Sequence, residues 1–408
     1  MLLLLPPLVA LLRSKTSRDT KAQLVLALCP AAIGWVMAWN QLRWLGLAYV
    51  LSLPALALFF RNLESAGKPK RASVMAWAFA CGVFLAPGAV SAVQRTWAGD
   101  DFTKEDLHHL VERDVAHWLR LRAGEAPVVV AGAPSSTTAL ISFGGVAGLG
   151  TLYWENAEGL KHAGALFASA SPEAARDLGR SLGVTHIVLF SWDAFEVELA
   201  HEYRGLPPDA PIPADLFVAK LLSSAVPPPW LRAIPFKLPD NPALTGEQVR
   251  IWEVVPEQTP VQSVAHAVNY YLELGLPQVA ERLVPVLAGF KDDLTASVML
   301  GGIASRQRDA AAFSRAAERV DTQLSQVETL SLDDRVHLVV VLVVGQQTEL
   351  ARSQLLAALR MADETSLRHL TPGTLSDLLA LSDALGVDWP EPALKRLAER
   401  LVPPARRK

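Results

Sequence analysis

Thiols are nearly absent. The 408 residues hold two cysteines, Cys29 and Cys81, each inside an apolar run, so neither a disulfide framework nor a thiolate zinc site is encoded. Charge is sparse as well, at 19% against 51% hydrophobic residues, which excludes a disordered polar chain and points to a membrane part. Basic residues are missing where nucleic acid would need them. Residues 1–97 carry 10 Lys and Arg against 2 Asp and Glu, and the remainder carries 28 against 39. No basic stripe beyond residue 97 is left to neutralise phosphates, which argues against a nucleic-acid partner. A Gly-x-Ser-x-Gly elbow is also lacking, which lowers the hydrolase reading.

Apolar length is what the first hundred residues do contain. Residues 22–39, 44–60 and 72–94 carry no charge and approach the ~20 residues needed to cross hydrocarbon. They predict three transmembrane helices, preceded by a short apolar segment, 1–12, that is too short to span. Pro30, Pro54 and Pro87 are compatible with this, since membrane helices tolerate proline. The loops 13–21 and 61–71 each hold four basic residues and are expected on the cytoplasmic side. Everything after about Trp97 is then expected in the periplasm or outside the cell. The same topology calls for a further helix running inward at the N-terminus, as though the reading frame began inside a longer membrane domain.

Beyond the membrane part, 98–257 reads as an α/β domain with a small, mainly parallel sheet. Leu107, Leu110, Val111, Val115, Trp118 and Leu119 recur at helical spacing. Residues 126–134 and 184–192 read as buried strands, with a helix between them that starts at Ser171 and stops at Gly183. Residues 248–255 form a later strand after a Pro-rich excursion. Ligands in such sheets sit beyond the strands' carboxyl ends, and two loops lie there. One holds Ser135, Ser136, Thr137 and Thr138; the other, 143–160, holds Gly144, Gly145, Gly148 and Gly150 before Tyr153, Trp154, Glu155 and Asn156. Both have structural alternatives: the hydroxyls as caps of the next helix, and the second loop as a packed turn with Asn156 capping the helix of 157–169. The glycine order does not fit a dinucleotide fingerprint. No cofactor is evident, and His108, His109 and His117 do not make a metal set.

These motifs carry a resemblance. Residues 113–124 (RDVAHWLRLRAG), 148–160 (GLGTLYWENAEGL), 182–195 (LGVTHIVLFSWDAF) and 227–239 (PPPWLRAIPFKLP) together resemble the extracytoplasmic region of bacterial GT-C-type integral membrane glycosyltransferase-like proteins. The layout is that of the oligosaccharyltransferase catalytic subunit and of mannosyltransferase-like relatives, and the similarity runs over roughly 40–255. It implies a polyprenyl-phosphate-linked sugar at the outer face of the inner membrane, with Tyr153, Trp154, Glu155, Asn156, Ser135, Ser136 and Thr137 as residues for sugar or acceptor. The family places acidic catalytic residues on early outer loops; here 1–12 and 40–43 contain no acid, so no catalytic residue is assigned. Ser191-Trp192-Asp193 follows a different strand from the family's Trp-Trp-Asp motif and is not given its role. Arg43, flanked by Trp39 and Trp44 at the outer boundary, is a cation against the sign rule. It reads as a phosphate ligand of the lipid carrier or as a snorkelling interfacial residue.

From about 258 to 408 the chain reads as successive helices: 262–274, 277–289, 293–305, 308–326, 333–346, 348–362, 373–385 and 391–401. Four pairs starting 31 to 40 residues apart predict a tetratricopeptide-like array, whose groove would take a protein partner. The stretch 336–344 (VHLVVVLVV, with His337) reads as a buried helix, with a strand as its alternative. Two functions follow. One is the C-terminal portion of a membrane glycosyltransferase that is not catalytic alone; the other is a membrane-anchored, non-enzymatic scaffold recruiting an envelope partner.

Overall fold

The computed structural model describes residues 4–12, 17–40, 45–65, 74, 78, 82, 90, 93, 102–153, 156–207 and 209–402. These fall into two compact units, 1–101 and 102–408, and the chain is mostly helical with one small sheet.

In the first unit, α1 (Leu5–Leu12), α2 (Arg18–Asn40) and α3 (Leu45–Ser65) pack together. Small residues make the seam: Ala27, Ala31 and Ala38 of α2 and Ala48, Ser52 and Ala55 of α3 are buried, and a Cβ on Gly34 would lie 3.0 Å from the Ala48 Cα. Trp35 Nε1 donates to Ser52 Oγ at 3.1 Å, and the Trp35 ring meets Tyr49 edge-on at 5.4 Å. Leu24, Leu56 and Phe60 are buried as well, while the large apolar side chains of Leu26, Ile33, Val36 and Trp39 are exposed. Among the described residues one helix, Arg18–Trp39, is long and apolar enough to cross a membrane; Gly46–Arg61 is apolar but shorter. The third expected span lies outside the described residues apart from Val74, Ala78, Gly82, Val90 and Val93, which are helical.

The second unit begins with α4 (Lys104–Ala123), opened by a reciprocal Thr103–Asp106 capping box. Then come β1 (Val129–Ala131), α5 (Pro134–Gly144), β2 (Ala147–Leu149), α6 (Ala157–Phe167), α7 (Pro172–Ser181), β3 (His186–Phe190), α8 (Phe195–Arg204), α9 (Phe217–Ser223), β4 (Leu231–Ile234) and β5 (Val249–Val254). The strand order is β2-β1-β3-β5-β4. The β2–β1 and β1–β3 pairs are parallel; β5 is antiparallel to both of its neighbours, β3 and β4, and so is the one strand that runs against the other four. The expected mainly parallel sheet is thus a mixed one, with a single reversed strand. The connection from β4 to β5, residues 235–248, carries only a one-turn 3-10 helix (Pro242–Leu244) and no crossover α-helix, and the chain turns back beside β4. Alternate strand residues point to opposite faces. Ile187 and Leu189 pack with α6 and Phe217 of α9, while Val188 and Phe190 pack with Val111, Val115 and Leu119 of α4. The sheet is thus covered on both sides.

The rest of the unit is helical: α10 (Pro260–Glu273), α11 (Pro277–Gly289), α12 (Leu294–Gln307), α13 (Ala310–Gln323), α14 (Leu332–Val344), α15 (Thr348–Met361), α16 (Glu364–His369), α17 (Pro372–Ala384) and α18 (Pro392–Leu401). Consecutive helices pair, and α10, α12 and α14 lie side by side in turn. The valine-rich stretch is helix α14, with Val336, Val339, Val341 and Leu342 buried in the core of the last helices; packing overrides its β-branched propensity. The short α16 interrupts the expected pairs.

Candidate functional site

The mouth at the carboxyl ends of β1 and β3 is built around one carboxylate. β1 approaches β3 so closely that a Cβ on Gly132 would stand 2.5 Å from the Val188 carbonyl oxygen. The chain then enters α5 at Pro134, a residue suited to the first helical position. There Asp193, three residues past the end of β3, takes hydrogen bonds from three donors on Oδ2: Ser135 Oγ, Ser136 Oγ at 2.5 Å and Ser136 N at 3.2 Å. A helix N-terminus is an anion site, and in this protein its own aspartate fills it. Ser135 and Ser136 thus work as donors to Asp193 rather than as side-chain caps, and the N-cap residue itself is Ala133.

The other expected residues are distributed around this point. Thr137 is buried with Oγ1 unpaired. A Cβ on Gly148 would lie 2.4 Å from its methyl group, so Gly148 serves packing of β2 on α5. Thr138 Oγ1 donates to Pro134 O at 2.7 Å and accepts from Leu152 N at 3.0 Å, which ties the hydroxyl helix to the segment leading to Asn156. Tyr153 is 64% exposed, beside Leu152 at 62%. Asn156 caps α6 through Gly159 N at 3.2 Å and donates to Thr151 Oγ1 at 3.1 Å, its structural alternative. Trp154, Glu155 and Arg43 lie outside the described residues.

Behind the mouth, Glu196 of α8 is buried, and its Oε2 has no partner. Burial and then the Asp193 charge push its carboxyl up to about 7. On α4 the histidines are structural neighbours. His108 stacks on Trp192 at 4.3 Å, His109 Nδ1 lies 3.0 Å from Glu112 Oε2, and Trp192 Nε1 donates to Glu112 Oε1 at 3.1 Å. Among the described residues no group of three or more His, Cys, Asp or Glu could hold a metal ion.

A second constellation, at the opposite end of the strands, joins the sheet to the helical array. Glu253 of β5 is buried between Arg232 Nη2 at 2.8 Å and His369 Nδ1 at 2.5 Å. Burial alone would raise its pKa, but Arg232 and His369 outweigh that and hold the carboxyl far below the usual range. Arg122 Nη1 donates to Leu370 O at 2.7 Å, Arg368 Nη1 to Leu121 O, and Arg232 Nη2 to His369 O. Beside this network lies a cleft of about 450 Å3 that Arg232, Gln262, His266, Ser331, Asp333 and His369 help to line. These residues come from four separate stretches of the sequence, so nothing local marks the cleft they share. One signal was available: Arg232 and Glu253 are charges inside largely apolar strands, and a charge buried there needs a partner.

No protein-family model matches this chain, nor does any curated protein or solved structure.

Proposed function

We propose that this chain is the outward-facing part, with its membrane anchor, of a GT-C-like membrane glycosyltransferase. It presents sugar or acceptor beside a polyprenyl-phosphate carrier and leaves bond making to a catalytic loop that it does not encode among residues 1–12 or 40–43. In this reading three transmembrane helices anchor it, the second unit lies outside the cytoplasm, and the helices after 258 form a tetratricopeptide-like array. The observation that carries the reading is the mouth. Segment 148–160, one of those that bear the family resemblance, is tied to the hydroxyl helix by Leu152 N donating to Thr138 Oγ1, and it leaves Leu152 and Tyr153 open to solvent. With Asp193 occupying the helix N-terminus, the mouth has no seat for a phosphate there, which leaves Arg43 for the carrier and the turn for the sugar. The small-residue seam and outward apolar side chains of α2 and α3 support the anchor.

The test is glycan transfer in cells that depend on the chain. Arg43→Ala and Trp154→Ala are each expected to abolish it, and a reporter active only outside the cytosol, fused after residue 408, is expected to be on. A reporter that works only in the cytosol would overturn the reading. A scaffold function is the second reading, favoured by the nine consecutive helices from α10 to α18. Unchanged glycans together with loss of a co-purifying envelope protein on deleting 260–408 would establish it in place of the first.

A further inference from the structure

A cleft of about 330 Å3 opens between α9, the β4–β5 edge of the sheet and the helices α10 and α11, and the charges on it are of one sign. Arg250 of β5 and Arg282 of α11 both line it, with no Asp or Glu beside them. This runs against the background, because the residues after 97 hold 39 acids and 28 bases. Each acid on the elements that build the cleft is committed elsewhere. Glu253 holds Arg232 and His369, Glu273 accepts from Thr371 Oγ1 and from Gly373 N at 2.8 Å, and Glu281 accepts from Gln307 Nε2 at 2.8 Å. The remaining two elements, α9 and β4, carry no acid. Among the described residues neither guanidinium of the cleft meets a carboxylate.

These donors are within reach of a solute. Arg282 is exposed and Arg250 half-buried. Arg250 spends Nη1 on Leu222 O at 2.8 Å and Nε on Gln248 Oε1 at 3.2 Å, while Nη2, reachable from solvent, meets no acceptor among the described residues. Accepting from Arg250 turns the Gln248 amide so that Nε2, on an exposed side chain, is a further donor. Tyr271 gives its hydroxyl to Ala225 O at 3.0 Å. What the cleft has left to offer is positive charge and N–H groups, and their complement is an acceptor bearing negative charge.

Two unmatched guanidinium charges discriminate among anions. A carboxylate brings one negative charge, whereas a phosphate monoester brings about −1.5 to −2 at neutral pH and three acceptor oxygens pointing in different directions, which guanidinium binds in pairs. A bare ion would leave most of the space empty. About 330 Å3 lies within the ~300–1,000 Å3 of sites for small organic molecules, and Leu274, Leu276 and Val279, none of them fully buried, give one wall an apolar surface.

We propose that this cleft binds a phosphate monoester with an apolar body, the phosphate held by Arg250, Arg282 and Gln248 and the body lying on Leu274, Leu276 and Val279. No residue of the mouth takes part, and the site stands or falls independently of the function proposed above.

The experiment is isothermal titration calorimetry on the full chain in a non-ionic detergent, with phenyl phosphate, inorganic phosphate, benzoate and isophthalate as separate titrants. Phenyl phosphate is expected to bind at least about tenfold more tightly than any of the other three, since inorganic phosphate lacks the body, benzoate the second charge and isophthalate the tetrahedral head. Arg282→Glu is expected to abolish binding and leave the melting temperature unchanged, because the side chain is exposed and unpaired. Arg250→Lys, which keeps the charge and loses the fork, is expected to weaken binding about tenfold, the scale of a charge-assisted hydrogen bond. Should Arg250→Lys fold poorly for want of its bond to Leu222 O, the Arg282 variant decides. The proposal is overturned if phenyl phosphate does not bind, if any of the other three titrants binds as tightly, or if the Arg282→Glu chain binds phenyl phosphate as the parent does.

Discussion

Arg232 and Glu253 are directly opposed partners in the antiparallel β4–β5 ladder, and their guanidinium and carboxylate meet at 2.8 Å with both side chains nearly buried. A cross-strand pair of opposite charge at an exposed position is worth ~0.2–1 kcal/mol. Buried, it becomes asymmetric: keeping both partners is tolerable, and losing one strands the other.

Glu253→Ala is therefore expected to destabilise the protein by about 3–5 kcal/mol, because it leaves Arg232 buried and uncompensated. Arg232→Leu combined with Glu253→Leu is expected to recover most of that loss. Chemical denaturation of the two variants against the parent checks it, and equal destabilisation by both would refute the account. Glu253 also sets an acid limit. Its folded pKa is depressed, so its stabilisation is present above the unfolded value near 4.5 and is lost as the pH falls below it.

Glu196 behaves with the opposite sign. Its carboxyl is raised from 4.5 to about 7, so the neutral form is the one the fold favours. Its contribution is complete below pH 4.5 and disappears as the pH rises through 7, a change on the order of 3 kcal/mol. Glu196→Gln is expected to flatten stability between pH 5 and 8 and to raise it at pH 8. A pH series of melting temperatures decides it; a parent profile as flat as the variant's would dispose of the buried neutral acid.

Asp193→Ala removes the acceptor of three donors at the start of α5. A loss of about 1–2 kcal/mol is expected, the scale of a helix cap with a favourable dipole contact. The vacated N-terminus becomes open to anions, so added phosphate is expected to restore part of the melting temperature in the variant and none in the parent. Identical phosphate responses would show that the aspartate is not the native occupant.

The helices were legible wherever apolar periodicity and punctuation agreed. The capping sequence at Thr103, Ser171 ahead of Pro172, and the breaks after Leu274 and Val344 mark ends within a few residues of those observed. Two strands were not. β2 is three residues inside a glycine-rich stretch that reads as loop, and its Gly148 is required by the Thr137 methyl beneath it. β4 sits among prolines, which are ordinarily strand breakers, and acquires its place from the Trp230 ring stacked on Phe217 and from pairing with β5. At the mouth, sequence reasoning found the hydroxyls and the turn but not their tenant. Asp193 lies more than fifty residues from Ser135, and nothing local announces that the two meet. The junction cleft was invisible for the same reason.

The seam between sheet and helices is stitched by arginines that reach main-chain oxygens of the other side: Arg122 to Leu370, Arg232 to His369 and Arg368 to Leu121. Carbonyls offer the same target whatever residue bears them, so drift in the side chains of 121 or 370 leaves these stitches intact, whereas inserting or deleting a residue nearby shifts every target at once. At these three points the border is set by the path of the main chain, whereas at Glu253 it is set by the side chains of Arg232 and His369.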